Sequence, residues 1–377
     1  MNKANIDWTT SIFLIGYHLS LIIMLPPYLY TSSPHAGLII TTIVIFILSG
    51  IGISSGYHRL YAHRAYTLNK IVEPFLLFFG TLAIQSSVLK WSHDHRIHHR
   101  FVDTEKDPYS IKKGFWYAHM LWLLKKHNKL NPAVVQDLLK NKLVMFQHKY
   151  YLSLMIATNL GVILLGGWIF NDYVGAFVLL FLTRIFVSHH TTWFVNSLAH
   201  SFGAQPYSRE HSAVNNWLLA FVTLGEGYHN YHHTFTSDYR NGVRWYQYDP
   251  PKVFIWLLSK IGLAKNLITV EKLAIKKRLL GEDKRLLLER LQAFKSAQRK
   301  RIEQKIIATE AFLNRKLSEM GQLREKYKQM RKVRAQGQAI RETKNEMRIL
   351  ETDINQNLKT WKMLCRQVLQ KSAMHSS

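Results

Sequence analysis

The sequence predicts an all-α integral membrane protein with four transmembrane helices in two hairpins, a histidine-rich cap on the cytoplasmic side and a C-terminal helical extension. Three observations predict this fold class. Four near-continuous apolar runs are each long enough to cross a bilayer. Nine histidines cluster beside those runs, and the chain becomes strongly polar and basic from about residue 270.

The four predicted spans cover residues 11–30, 36–55, 151–170 and 173–195. The first run is too long for a signal peptide and lacks a small-residue cleavage site, so we expect it to remain as a span. The connecting loops 31–35 and 171–172 carry no lysine or arginine, whereas residues 57–150 and those after 200 carry many. Because basic loops stay inside, both termini and the histidines are predicted to be cytoplasmic. The single cysteine, Cys365, fits a reducing compartment.

The histidines beside the spans form four clusters. Their members are His58 and His63; His95, His98 and His99; His200; and His229, His232 and His233. Imidazole is a common ligand of zinc, copper and iron, and clustering favours metal binding over ordinary packing. These clusters predict a metal site on the cytoplasmic side of the membrane.

The HxxHH spacing, which occurs twice, predicts that this site is dinuclear. On a helix, residues three and four apart share a face, so His95 can lie on the same side as both His98 and His99. The adjacent pair His98 and His99 diverges, and one face can therefore supply two neighbouring ions. His58 and His63 are five residues apart and do not share a face of an ideal α-helix, so we expect the helix to loosen there.

Three further apolar segments are too short or too interrupted to span the membrane. Residues 71–89 and 217–224 each lie beside a histidine cluster, and we interpret them as dipping or interfacial helices that help close the site. Residues 253–263 are amphipathic and are expected on the membrane surface.

From about Val270 the composition changes, which divides the chain into a membrane domain, residues 1–269, and a basic helical coiled-coil extension, residues 270–377. The extension holds 27 Lys or Arg and 12 Asp or Glu, and supplies +15 of the net charge of +26. Apolar residues recur every seven positions in two series separated at Gly337, which is typical of a coiled coil. These series are Ile306, Leu313, Met320 and Tyr327, then Ile340, Met347, Ile354, Trp361 and Val368.

The pattern is compatible with a helical hairpin and with an oligomerising rod. Few aromatics, alternating charge signs and no recognition motif argue against nucleic-acid binding. Attraction to anionic lipid headgroups or to an acidic protein is the simpler interpretation, and a merely solvated surface is the alternative.

Four segments together resemble the membrane-bound fatty acyl desaturases, and within them the delta-9, stearoyl-CoA desaturase-like group. They are HRLYAHR (58–64), DHRIHHRFVDTEKDP (94–108), NSLAH (196–200) and GEGYHNYHH (225–233). The resemblance covers roughly residues 10–265. It implies that all nine clustered histidines bind two irons, and that Asn196 of the NSxxH motif holds a water that completes the shell. Dioxygen would be the co-substrate.

The resemblance also implies substrate contacts. Trp91 and Asp94 match positions at the channel mouth and headgroup site, Lys125 and Lys126 match a phosphate-binding pair, and Thr192 and Trp193 flank the bend of the channel. The lysine pair is equally well interpreted as the positive charge that usually lies near a membrane helix on its cytoplasmic side. His93 and Ser86 replace an arginine and an asparagine of acyl-CoA members, which leaves phospholipid or acyl-carrier-protein substrates open. Other histidines near the clusters, such as His189, are expected to pack in the core or to support the ligand histidines.

Carboxylates can orient ligand imidazoles through hydrogen bonds. Five acidic residues lie close enough in sequence to do so, and we expect Asp94 and Glu226 first; the other three are Asp103, Glu105 and Asp107.

The sequence thus favours an oxygen-dependent desaturase that inserts a cis double bond into an acyl-CoA or acyl-lipid, at carbon nine by resemblance. Two alternatives remain: a related histidine-box fatty acid or alkane hydroxylase, and a non-catalytic metal-binding membrane scaffold. No GxGxxG, flavin or haem-binding motif occurs in the chain. We therefore expect an external electron donor, ferredoxin-like or a cytochrome, with its reductase.

Overall fold

The computed structural model describes residues 6–126, 129–294, 296–334 and 336–374. The chain divides into two compact units. Unit 1 comprises Met1–Gln205 and Glu210–Thr269, and unit 2 comprises Pro206–Arg209 and Val270–Ser377.

Unit 1 is almost entirely helical. Its helices are α1 (Trp8–Thr31), α2 (Ala36–Ile51), α3 (Glu73–Leu82), α4 (Val88–Phe101), α5 (Phe115–His119), α6 (Gln136–Leu139), α7 (Lys142–Lys149), α8 (Tyr151–Phe170), α9 (Tyr173–Gly175), α10 (Arg184–Asn196), α11 (Trp217–Val222), α12 (His229–Thr234) and α13 (Pro250–Lys260). Short 3₁₀ turns lie at Ile111–Lys113, Leu121–Leu124, Pro132–Val134 and Leu198–His200. Two short strands, β1 (Thr67–Leu68) and β2 (Ala264–Lys265), pair antiparallel.

Four helices in the described residues are long and apolar enough to cross a membrane, which confirms the predicted spans. They are Trp8–Thr31, Ala36–Ala62, Tyr151–Phe170 and Tyr173–His200. The second and fourth run further than the apolar pattern predicted, because each continues into residues that carry histidines. The tips of the two hairpins are joined where the Tyr28 hydroxyl donates to Asp172 at 2.6 Å.

The second span changes from α-helix to π-helix over Gly52–Ala62. Its hydrogen bonds join residues five apart, and one of them runs from the His63 amide to the His58 carbonyl at 3.0 Å. A π-helix has more residues per turn than an α-helix and is frequent at functional sites. The predicted loosening is therefore present, and it brings His58 and His63 onto a common side.

Helix α3 lies in the segment predicted to dip into the membrane, and its C-terminal end lies against the middle of the fourth span. The carbonyls at a helix end have no partner within the helix, and in lipid they cannot turn to water. Arg184 Nη1 donates to Leu82 O at 2.8 Å, and His189 Nε2 lies 3.1 Å from both Ala83 O and Ile84 O. These two buried side chains therefore cap α3, and His189 has a supporting role.

Two amphipathic helices of unit 1 expose apolar side chains. Helix α11 exposes Trp217, Leu218 and Phe221, and α13 exposes Trp256 and Leu257. The Leu224 side chain, just after α11, packs so closely on Gly50 of the second span that a β-carbon there would lie 2.3 Å from it. Helix α11 therefore lies beside a membrane span, with its apolar face outward.

Unit 2 contains α14 (Lys272–Arg290), a 3₁₀ turn at Leu291–Ala293, α15 (Ser296–Lys332) and α16 (Gly337–Met374). The three helices share one apolar core. Most heptad positions predicted from the sequence lie in it, including Leu313, Met320, Ile354, Trp361 and Val368. Trp361 also donates its indole N–H to Asp283 at 3.0 Å. Helices α15 and α16 pack within one chain, as in the hairpin interpretation of the heptads.

Replacement of Arg184 tests its capping role. Arg184→Leu removes the donor to Leu82 O and also to Asn159 Oδ1, which lies 2.5 Å from Nη2. Leaving buried acceptors unpaired costs about 1–3 kcal/mol, so we expect a lower midpoint of thermal unfolding in detergent. Lys70→Leu, at an exposed position, is the matched control. Equal midpoints for the two variants would contradict the assignment.

Candidate metal centre

The nine clustered histidines reach one place from five parts of the chain. His58 lies in the π-helix and His63 directly after it, and His200 ends the fourth span. Helix α4 carries the first HxxHH and α12 the second. In both HxxHH helices, all three histidines face the place where the clusters meet.

The ligand-capable nitrogens form two adjacent groups. The five-histidine group contains His58, His63, His95, His99 and His232, and the four-histidine group contains His98, His200, His229 and His233. Within each group all the nitrogens lie within 4.8 Å of one another. The adjacent pairs His98–His99 and His232–His233 are each divided between the two groups, which is the arrangement expected of a dinuclear site.

The spacing of the Nε2 atoms fits metal ligands better than hydrogen-bonded imidazoles. His232 Nε2 lies 3.0 Å from the Nε2 atoms of both His58 and His99, and His229 Nε2 lies 3.1 Å from those of His200 and His233. One ring nitrogen cannot satisfy several such neighbours by donating a single proton. Ligands about 2.0–2.1 Å from a shared metal stand about 2.8–3.4 Å apart in octahedral or tetrahedral geometry. The donor set therefore fits metal ions.

Burial keeps six of these imidazoles neutral. Burial, reinforced by the charge that neighbouring imidazoles would carry, lowers the pKa well below the usual 6.5 for His63, His95, His99, His229, His232 and His233. Only a neutral imidazole can donate a lone pair to a metal. The same burial that disfavours protonation therefore prepares the ligands.

Two carboxylates orient a histidine directly, one in each group. Glu226 Oε2 lies 3.2 Å from His58 Nδ1, and Asp107 Oδ1 lies 2.9 Å from His98 Nδ1. Each histidine then donates from Nδ1, which leaves its Nε2 lone pair facing the group. Burial raises the pKa of Glu226, but its interactions with His58 and Arg59 outweigh burial and lower the pKa below its usual range.

Two hydroxyl residues that the sequence did not reveal also contact ligand histidines. Tyr109 Oη lies 3.3 Å from His95 Nδ1, and Ser212 Oγ lies 2.7 Å from His200 Nδ1. Ser212 is in turn bound by Asp103. Tyrosines and serines are frequent throughout the chain, so nothing in the sequence distinguishes these two.

The predicted substrate residues lie in two places. Trp91 stacks on His95, with ring centroids 4.8 Å apart. Asp94, also expected to orient a ligand, accepts from Lys90 Nζ at 2.6 and 2.5 Å and lies 2.9 Å from His93 Nδ1. Both of these partners lie outside the two histidine groups. Glu105 is exposed and pairs with Lys113 at 3.4 Å.

Thr192 and Trp193 lie inside the helical bundle. Thr192 Oγ1 accepts from Gln85 at 2.8 Å, and Trp193 is buried among His18, His189 and His190. Lys125 lies 4.8 Å from the centre of the Tyr117 ring, while Lys126 is exposed. Asn196 ends α10, half-buried, four residues before His200.

A membrane-spanning helical frame that gathers nine imidazoles into two neighbouring groups fits a class of membrane-embedded metal-binding proteins. Residues 32–252 match the family model described as fatty acid desaturase. The chain belongs to this family, which confirms the resemblance found in its four histidine-containing segments.

Curated relatives agree with the family match. The chain is 44% identical over 263 residues to a "Probable acyl-CoA desaturase" of Schizosaccharomyces pombe, covering 68% of this chain and 54% of the relative. It is 40% identical over 254 residues to "Acyl-CoA desaturase 1" of Saccharomyces cerevisiae, covering 67% and 50%. A "sn-1 stearoyl-lipid 9-desaturase" of Anabaena variabilis is 35% identical over 273 residues, covering 72% and 97%. The chain thus spans about half the length of the two yeast relatives.

Single replacements test the two groups separately. His98→Ala removes a donor from the four-histidine group and His232→Ala from the five-histidine group, so each should retain about one metal ion fewer per purified chain than the unaltered protein. His35→Ala, at the far end of the second span, should retain the full amount because its imidazole caps α2. The measurement is metal content after purification. Full metal content in His98→Ala would refute the assignment of that group.

Proposed function

We propose that the protein is an oxygen-dependent fatty acyl desaturase that inserts a cis double bond at carbon nine of a saturated acyl chain. The observation that carries this proposal is the pair of all-imidazole groups at the ends of the second and fourth membrane spans. The membership of the chain in the fatty acid desaturase family supports the proposal. Relatives whose names specify acyl-CoA and stearoyl-lipid 9-desaturases support it as well.

The metal ions are proposed to be two irons, one held by each histidine group. Imidazole binds several transition metals, but zinc has no redox chemistry, and an unactivated methylene must be oxidised. Bound iron would supply the activation of dioxygen. The overall reaction takes two hydrogens from the acyl chain, two electrons from a donor and two protons, and reduces dioxygen to two waters. Asn196 is proposed to hold a water beside the four-histidine group.

The remaining residues of the site are proposed to bind the acyl chain and to orient the ligand histidines. Glu226 and Asp107 keep His58 and His98 in the tautomer that faces a metal. The stacked pair of Trp91 and His95 closes one side of the centre to water. Thr192, anchored by Gln85, and Trp193 are proposed to shape the bend of the acyl channel. Neutral apolar walls suit an acyl chain because they bury its methylenes.

The carrier is proposed to be coenzyme A or a lipid, since relatives of both descriptions match the chain. Lys125, Lys126, Trp91 and Asp94 would meet the headgroup. We further propose that the termini and the metal centre face the cytoplasm, and that electrons come from an external ferredoxin-like or cytochrome donor with its reductase. The basic helices of unit 2 are proposed to attach to anionic lipids or an acidic partner, or to mediate oligomerisation.

Expression in a desaturase-deficient host, followed by fatty acid profiling of each lipid class, tests the proposal. We expect oxygen-dependent, mono-unsaturated chains whose double bond lies at carbon nine. Hydroxylated chains without unsaturation would instead identify a hydroxylase. Bound iron without donor-dependent oxygen consumption would identify a non-catalytic scaffold.

Chain length is predicted to depend on the second span. Beyond carbon nine, a chain of sixteen to eighteen carbons extends roughly 9–11 Å, which at 1.5 Å per residue is about six or seven positions of helix before His58. Allowing for the π-helix, this depth falls between Phe46 and Gly52, where Ser49 is fully buried. Ser49→Phe should therefore favour shorter chains without moving the double bond.

The matched control is Ile47→Phe, two residues away and exposed at the protein surface. It should leave the product profile unchanged. An unaltered chain-length profile in Ser49→Phe, at normal activity, would mean that the acyl channel does not end against this helix.

A further inference from the structure

Each histidine group is supported by a carboxylate that does not touch any of its histidines. Asp249 connects to the five-histidine group through Arg59 and Glu226. Asp103 connects to the four-histidine group through Ser212. The two supports lie on different segments and differ in chemistry, since the first is a chain of ion pairs and the second passes through a neutral hydroxyl.

The first support is fully buried. Asp249 Oδ1 lies 2.9 Å from Arg59 Nη2, and the same nitrogen lies 3.1 Å from Glu226 Oε1. Glu226 then accepts from His58 Nδ1. Asp249 is itself fixed by the backbone amides of Asn241 and Gly242, at 2.9 and 3.0 Å, and of Lys252, at 3.0 Å. Because Arg59 directly follows His58 in the π-helix, anchoring its guanidinium also fixes the backbone that carries the histidine.

The second support begins at a strained residue. Asp103 has φ +62°, in the left-handed region that non-glycine residues rarely adopt, and such strain is often found at functional sites. Its two oxygens each lie 2.6 Å from Ser212, one from the amide and one from the hydroxyl. Because the Ser212 hydroxyl proton goes to Asp103, its oxygen is left to accept from His200 Nδ1 at 2.7 Å. His200 Nε2 then faces the four-histidine group.

We propose that Asp249 and Asp103 are positioning residues, each serving one of the two metal ions. Asp249 sets the orientation of His58, and Asp103 sets the tautomer of His200. This inference rests on the proposed function, because it assumes that both histidine groups hold iron. Partners outside the ligand shell typically contribute tenfold to a hundredfold to metal affinity.

Asparagine replacements test each support while keeping the shape of the side chain. An amide presents one acceptor oxygen where a carboxylate presents two, so Asp249→Asn must oppose an NH₂ group to Arg59 or a backbone amide. Asp103→Asn must do the same to Ser212, and asparagine tolerates the left-handed backbone. The matched control is Asp238→Asn. Asp238 is also a buried carboxylate, but it accepts from Tyr231 and pairs with Arg240.

Each replacement is placed in two backgrounds, so that the affected metal can be assigned. His98→Ala weakens the four-histidine group, and His232→Ala weakens the five-histidine group. The purified full chain is titrated anaerobically with iron(II) alone, and the number of ions bound and their affinities are measured. The visible absorption spectrum with cobalt(II) provides a second reading of the ligand geometry.

A crossed result is expected. In the His98→Ala background, Asp249→Asn should weaken the remaining iron tenfold or more and alter the cobalt(II) spectrum, whereas Asp103→Asn should change neither. In the His232→Ala background, Asp103→Asn should weaken the remaining iron tenfold or more and alter the cobalt(II) spectrum, whereas Asp249→Asn should change neither. Asp238→Asn should leave iron affinity unchanged in both backgrounds, and Asp249→Glu should restore much of the affinity that Asp249→Asn loses.

Equal weakening of both sites by either replacement would overturn the proposal, because it would indicate a general structural role. Unchanged affinities in all variants would overturn it as well. If Asp249→Asn fails to fold, as judged by helix content and size-exclusion behaviour, then Arg59→Lys gives the same test by removing the forked contact. Fewer than two iron ions in the unaltered chain would instead refute the two-iron part of the proposed function.

Discussion

The centre depends on fixing which nitrogen of each imidazole carries the proton. Nine rings whose Nε2 atoms converge at about 3 Å would repel one another if they were protonated, and would compete if each tried to donate. Hydrogen bonds at Nδ1 remove this conflict for His58, His95, His98 and His200, through Glu226, Tyr109, Asp107 and Ser212 respectively. Burial then disfavours the second proton. Oriented lone pairs, rather than the number of histidines, make this arrangement suited to metal ions.

The membrane imposes a second constraint, because a helix that ends within the bilayer leaves carbonyls that water cannot reach. Helix α3 ends against the apolar fourth span, and polar residues of that span provide the partners that its last carbonyls need. Arg184 and His189 bind the last carbonyls of α3, while Asn159 of the third span binds Arg184. Polar residues in spans often mark substrate pathways. Here these three have a structural explanation, which keeps them apart from the metal-binding set.

Sequence reasoning recovered the features that depend on local periodicity. The four spans followed from long apolar runs, and the nine histidines from short spacings that place side chains on one helix face. It also located the irregularity between His58 and His63, although the π-helix itself could not be foreseen. The sequence could not predict the partner of Arg184, because Leu82 O is a backbone atom 102 residues away in the chain. Asp249 was missed for the same reason, since its partner Arg59 lies 190 residues away. Tyr109 and Ser212 were missed because tyrosines and serines are too frequent in the chain to stand out.

Those long-range supports also explain why the centre needs the whole membrane unit. His58 and Glu226 are separated by 168 positions, and Arg59 and Asp249 by 190. No single segment can therefore form a complete ligand set. The five-histidine group is complete only when the second span, α4, α12 and the segment before α13 are packed together, and the four-histidine group requires the fourth span, α4 and α12. A buried ion pair contributes little to stability but is costly when one partner is lost. The Arg59 ion pairs thus make the geometry of the five-histidine group sensitive to the packing of segments that contain none of its ligands.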